Sequence, residues 1–141
     1  MLNLFKKEDP LLKSHVKNLI EVAMSDGHFD ETEYDLLLKI VRRHKVGKSF
    51  IEKIRKNMDS VTFAMPPTDV ERYDQIFDLI TMVMADGAID HNEIRVCNKY
   101  AEKLGFDKRL VEELVYSISS NISMGHTIEE TKQRIKFMLK T

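Results

Sequence analysis

An internal repeat is the feature that most limits how this chain can fold. Sliding the 141-residue sequence by 60 positions pairs residues 15–58 with 75–118 without a gap, and ten of the 44 pairs are identical. They include Leu19/Leu79, Ile20/Ile80, Met24/Met84, Asp26/Asp86, Gly27/Gly87, Asp30/Asp90 and Glu33/Glu93. Further pairs are apolar in both copies, such as Val16/Ile76, Phe29/Ile89, Ile51/Val111 and Ile54/Leu114. The best-matched stretch reads Asp-Gly-x-apolar-Asp-x-x-Glu twice, each time after an apolar segment of helical period. A copy of about 50 residues buries little surface alone, so the two are expected to pack face to face as one core.

Helix punctuation is dense, and no segment alternates with the period of two that a strand requires. Asp9-Pro10 opens a helix to about Ser25, with an apolar face of Leu12, Val16, Leu19, Ile20 and Ala23. Gly27 ends it, and Asp30 with Glu33 forms a capping box for a second helix to about Lys45. Gly47 is expected to break that helix, and Ser49 with Glu52 to cap a third. Val61 to Pro67 reads as a linker. Thr68 with Glu71 caps a fourth helix, whose face is Tyr73, Ile76, Phe77, Ile80, Val83 and Met84. Asp90 with Glu93, Asp107, and Thr127 with Glu130 open three more. The expected fold is all-α, with about seven helices in one compact bundle. Repeat one covers about 10–60, a linker 61–68, repeat two about 69–123, and a C-terminal helix 127–140.

Composition excludes several classes of function. The 22 basic and 23 acidic residues nearly cancel, against a generically polycationic nucleic-acid binder. The one cysteine, Cys97, rules out an internal disulfide framework, and its helical position marks it as a buried hydrophobe. No apolar run reaches the roughly 18 residues of a membrane span. The expected location is cytoplasmic, with peripheral membrane association at most. Met1 to Lys7 reads as a frayed end or a weak amphipathic contact. His15, His28, His44, His91 and His126 show no ligand spacing, and no phosphate loop, catalytic triad or metalloprotease helix is present. An enzyme is not expected.

Capping explains Asp30, Glu33, Asp90 and Glu93, each cap being worth about 1 kcal/mol. It does not explain Asp26 and Asp86, which sit at the negative end of a helix dipole, where a carboxylate is unfavourable by about 0.3–1 kcal/mol. Two explanations stand open: the carboxylate reaches forward to free N–H groups of the next helix, or it binds a cation. In the second case Asp26, Asp30 and Glu33, with Asp86, Asp90 and Glu93, offer hard oxygen ligands suited to Ca²⁺ or Mg²⁺. The loop is not an EF-hand, because positions 6 and 12 counted from Asp26 are Glu31 and Leu37. Pseudo-twofold packing would gather both loops on one face, as an acidic patch for cations or a basic protein partner.

The motif Met-x-Asp-Gly-x-apolar-Asp-x-x-Glu, present in both halves and set between helices, resembles the TerB-like (tellurite-resistance) domain over roughly residues 11–140. Similar domains occur in tellurite-resistance proteins and at the front of DjlA-type membrane-anchored co-chaperones. The resemblance implies an all-α fold with internal pseudo-symmetry, an acidic metal site and a role in stress or chemical resistance. By position that site falls on Asp26, Asp30, Glu33, Asp86, Asp90 and Glu93. No J-domain signature follows in this sequence.

A second reading comes from charge asymmetry. Residues 39–56 hold eight basic side chains, among them Lys39, Arg42, Arg43, Lys45 and Lys48, against the single acid Glu52. The equivalent window of the second copy is balanced. Such a helix–turn–helix face could act as an adaptor for phosphates of nucleic acid or an anionic membrane, although the lack of tryptophan disfavours single-strand stacking.

Overall fold

A computed structural model describes residues 9–85 and 90–140. Among these residues there are seven α-helices, one 3₁₀ turn and no strand. The helices are α1 (Pro10–Met24), α2 (Glu31–Arg42), α3 (Lys48–Lys56), α4 (Asp69–Val83), α5 (His91–Lys103), α6 (Lys108–Ser123) and α7 (Ile128–Lys140); the 3₁₀ turn, Met58–Ser60, follows α3. Gly87, Ile89 and the segment Met1 to Lys7 lie outside the described residues.

Six of the seven helices start where a short polar side chain meets free N–H groups. Asp9 accepts from the Leu11 N–H at 2.9 Å with Pro10 following, and Thr68 accepts from Glu71 at 3.2 Å. Thr127 and Glu130 exchange bonds of 3.1 and 3.2 Å as a capping box. The start of α3 differs from expectation. Gly47 is its N-cap, without a side-chain bond, and Ser49 lies inside the helix. Glu52 instead accepts from the Tyr34 hydroxyl at 3.0 Å and from Arg55 at 3.3 Å. Nor does Gly47 break α2. Lys45 does so, with φ +63°, while the Val46 N–H returns to the Val41 carbonyl at 3.4 Å.

Helices α1 and α4 form the centre. They pack against each other, and the second helix of each repeat packs on both, so α5 lies against α1 and α2 against α4. Helices α3 and α6 flank α1 and α4 respectively, and α7 lies along α6. The same relations therefore hold when the two repeats are exchanged. A single apolar face was expected on α4, but residues 76–83 are buried on every side because other helices surround them. The core runs through Leu19, Ile20, Ile51, Leu79, Ile80 and Ile118. Cys97 is buried in it, and burial pushes its thiol up to about 12, so it stays an inert packing residue. Met24, the last residue of α1, is 48% exposed.

The linker is tied across α1. Ser14 Oγ accepts from the Ala64 N–H at 2.9 Å, and Lys17 donates to the Val61 carbonyl at 2.9 Å. These bonds satisfy backbone groups of a loop that has no ladder of its own.

Candidate functional site

The exchange of helices between repeats decides which acidic residues meet. Because α5 packs on α1, the turn that ends α1 lies beside the first turn of α5. Asp26, Asp90 and Glu93 come together there, with one ligand oxygen from each within 4.8 Å of the others. Among the described residues this is the only such group of three. It takes one member from the first loop and two from the second. Asp86 lies outside the described residues.

Each carboxylate is placed by local grammar. Asp26 follows α1 and accepts the His28 N–H at 2.8 Å, which folds the loop over the left-handed Gly27, φ +89°. It does not reach the opening N–H groups of α2, which Asp30 serves by accepting from Glu33 at 2.8 Å. Asp90 caps α5 by accepting from Asn92 at 2.8 Å and Glu93 at 3.1 Å. Glu93 is only 1% exposed, while Asp26 and Asp90 are half-buried.

Three carboxylates this close repel one another by about 3 kcal/mol per ionised pair at an effective dielectric constant near 20. The start of α5 offsets part of that through its dipole, worth at most about 2 kcal/mol when partly buried. A divalent cation would offset the rest. Carboxylate oxygens are the donors that Ca²⁺ and Mg²⁺ take, with further positions open to water or backbone oxygen. In the first repeat, Glu33 is likewise only 2% exposed and accepts the Asp30 N–H at 3.3 Å as half of a full capping box.

The basic face is reduced by one member. Arg43 donates to both oxygens of Asp78, at 2.9 and 3.0 Å. Lys39, Arg42, Lys45 and Lys48 are exposed, with the Lys48 ammonium 5.9 Å from the Tyr34 ring centre.

Asp78 also accepts from His15 Nε2 at 2.9 Å, so a carboxylate only 6% exposed joins α1, α2 and α4. Burial pushes its proton affinity up, but the bonds and charges of His15 and Arg43 outweigh that and hold the carboxyl below its usual range. Sequence reading missed this group, whose members lie 63 and 35 positions apart. One signal was present: His15 and Asp78 are polar residues inside apolar helical runs, and their repeat equivalents are Gln75 and Asn18.

Comparison with family models, with curated proteins and with solved structures finds no match.

Proposed function

We propose that the chain is a non-enzymatic, TerB-like helical module of stress or chemical-resistance biology that binds a divalent cation, Ca²⁺ or Mg²⁺, where its two repeats meet. One observation carries the reading: Asp26 of one repeat and Asp90 and Glu93 of the other hold oxygens within 4.8 Å. Asp26 is not needed to cap α2, which Asp30 already does, and its own structural bond, to the His28 N–H, uses one carboxylate oxygen. The repeat supplies the counterpart set Asp86, Asp30 and Glu33 for the same chemistry.

In this reading the cation joins the end of α1 to the start of α5. It would thus couple ion occupancy to the docking of one repeat on the other, a property suited to a module whose partner recognises the loaded form. A thermal melt with Ca²⁺ and with Mg²⁺ tests it. Ligand at 100 times its dissociation constant adds about 2.7 kcal/mol to the folded state. The melting temperature should rise with either ion and not with matched NaCl, and Asp26→Asn should remove the rise. A melt unchanged by millimolar ion would leave the acidic loops as caps or as a surface for a basic partner.

A further inference from the structure

The end of α1 opens onto a groove of about 550 Å³ between that helix, the end of α3 with its 3₁₀ turn, and α5. Ile20, Met24, Met58 and Val96 make its apolar lining. The end of α4 opens onto a groove of about 580 Å³ between α2 and α6. The two linings correspond at the repeat offset, as Glu21/Thr81, Met24/Met84, Ser25/Ala85, Met58/Ile118, Val96/Leu36 and Lys99/Lys39. The repeat therefore builds the same groove twice. Two of the identical pairs, Met24/Met84 and Lys39/Lys99, meet there, and capping explains neither. Met24 is 48% exposed and both lysines are exposed, so core packing does not account for them.

Shape and charge choose the occupant. Open apolar surface formed by flexible methionine side chains suits an apolar side chain of another protein. The groove at α1 leaves Met24 half in solvent, whereas a pocket for a small molecule buries about 70–90% of its ligand. The rim sets the charge beside that side chain. Glu21 is spent, since it accepts the Tyr100 hydroxyl and lies 4.0 Å from Lys17. Arg55 is held by Glu52 at 3.3 Å and lies over the Phe29 ring. Lys99 forms no ion pair among the described residues, and its ammonium lies 5.6 Å from the Tyr100 ring centre. A carboxylate is its complement. The acidic cluster is set back from it: Glu93 precedes Lys99 by about 9 Å along α5, roughly one Debye length. In the second groove Asp35 shares the rim with Lys39 and offsets its charge.

We propose that the groove at the end of α1 docks a segment of a partner protein in which a long apolar side chain, leucine or methionine, stands next to a carboxylate. The apolar side chain lies on Met24, Met58 and Val96, and the carboxylate meets Lys99. The groove at the end of α4 is its weaker, repeat-related copy. One side chain and one exposed charge pair give a dissociation constant of about 0.1–1 mM for a short segment. Docking here needs no cation at Asp26, Asp90 and Glu93.

The test is methyl NMR of the full chain labelled at methionine, run in chelator so that cation binding does not enter. The first probe is a blocked peptide of sequence Ser-Glu-Leu-Leu-Glu-Ser. A second peptide carries lysine in place of glutamate, a third alanine in place of leucine, and octanoate stands for a free amphiphile. The expected result is a saturable shift of the Met24 and Met58 methyls with the first peptide. The lysine peptide should bind about threefold more weakly or worse, and the alanine peptide should not saturate. Lys99→Glu should weaken the first peptide about tenfold, while Lys99→Arg should keep it. Met24→Gln, read at Met58, should weaken it as well. Both side chains are exposed, so the variants should fold, as circular dichroism would show. Met24 and Met58 methyls that stay still, or that respond equally to the lysine or the alanine peptide, would overturn the proposal. Unchanged binding in Lys99→Glu, tighter binding of octanoate, or a stronger response at Met84 than at Met24 would overturn it too.

Discussion

Lys45 and Gly105 hold the same place in the two repeats, and both have left-handed backbone, with φ +63° and +92°. Each follows the second helix of its repeat, and the next N–H returns to the helix, from Val46 to Val41 and from Phe106 to Ala101. Glycine adopts this geometry freely, whereas a residue with a Cβ is strained there by roughly 1 kcal/mol. Lys45→Gly should therefore raise stability by about 0.5–1 kcal/mol, a few degrees in melting temperature. Gly105→Ala should lower it by a similar amount. Urea unfolding of both variants checks the pair.

Cap positions give a second contrast. Gly47 lacks a side-chain cap, has open space around its Cα, and is the repeat partner of Asp107, whose carboxylate accepts the Arg109 N–H at 2.9 Å. Gly47→Asp should stabilise by a few tenths of a kcal/mol, while Asp30→Ala should cost about 1 kcal/mol. Ser49→Ala, inside α3, should stay within about 0.5 kcal/mol of the parent. Thermal melts of the three variants in one buffer would show this order.

The buried carboxylate Asp78 sets a pH dependence. Its folded proton affinity is lowered, so the stability it contributes is fully present above the ordinary carboxylate range and is lost as pH falls below about 4. Asp78→Asn should flatten the acid limb of stability, measured by urea unfolding from pH 6 down to pH 3. At neutral pH, removing the buried partner should cost about 3 kcal/mol or more. Arg43→Ala should cost less, because the Arg43 side chain is 47% exposed and water takes over part of its role.

The fold was legible wherever its signals are local. Capping boxes at Asp30–Glu33 and Thr127–Glu130 act over three residues, and the structure forms both. The Ser49–Glu52 pattern has the same spacing and fails, because the left-handed turn at Lys45 lets α3 begin at Lys48. The repeat held the better answer, since it sets Gly47 opposite the capping residue Asp107. The acidic residues were legible as types, but their grouping was not. That Asp26 meets Asp90 and Glu93 depends on α5 docking against α1, which no window of sequence contains. The same holds for His15 and Asp78, joined only once α1 and α4 cross.

Asp26 should show a trade between stability and binding. Asp26→Asn keeps an oxygen for the His28 N–H while removing a charge that faces Asp90 and Glu93 at the end of α1. Without added metal, the variant should be more stable than the parent by about 0.3–1 kcal/mol, the cost of a carboxylate at a helix C-terminus. A variant less stable than the parent in chelator would assign Asp26 a structural role instead.

The central claim, that the repeats meet at a cation site, is tested most directly by calorimetric titration of Ca²⁺ and Mg²⁺. The samples are the parent chain, Asp26→Asn, and Glu31→Gln, whose exposed acid lies outside the cluster. The prediction is saturable binding of at least one ion to the parent and to Glu31→Gln, weakened at least tenfold in Asp26→Asn. No heat with either ion up to millimolar concentration, or equal binding by all three proteins, would contradict it.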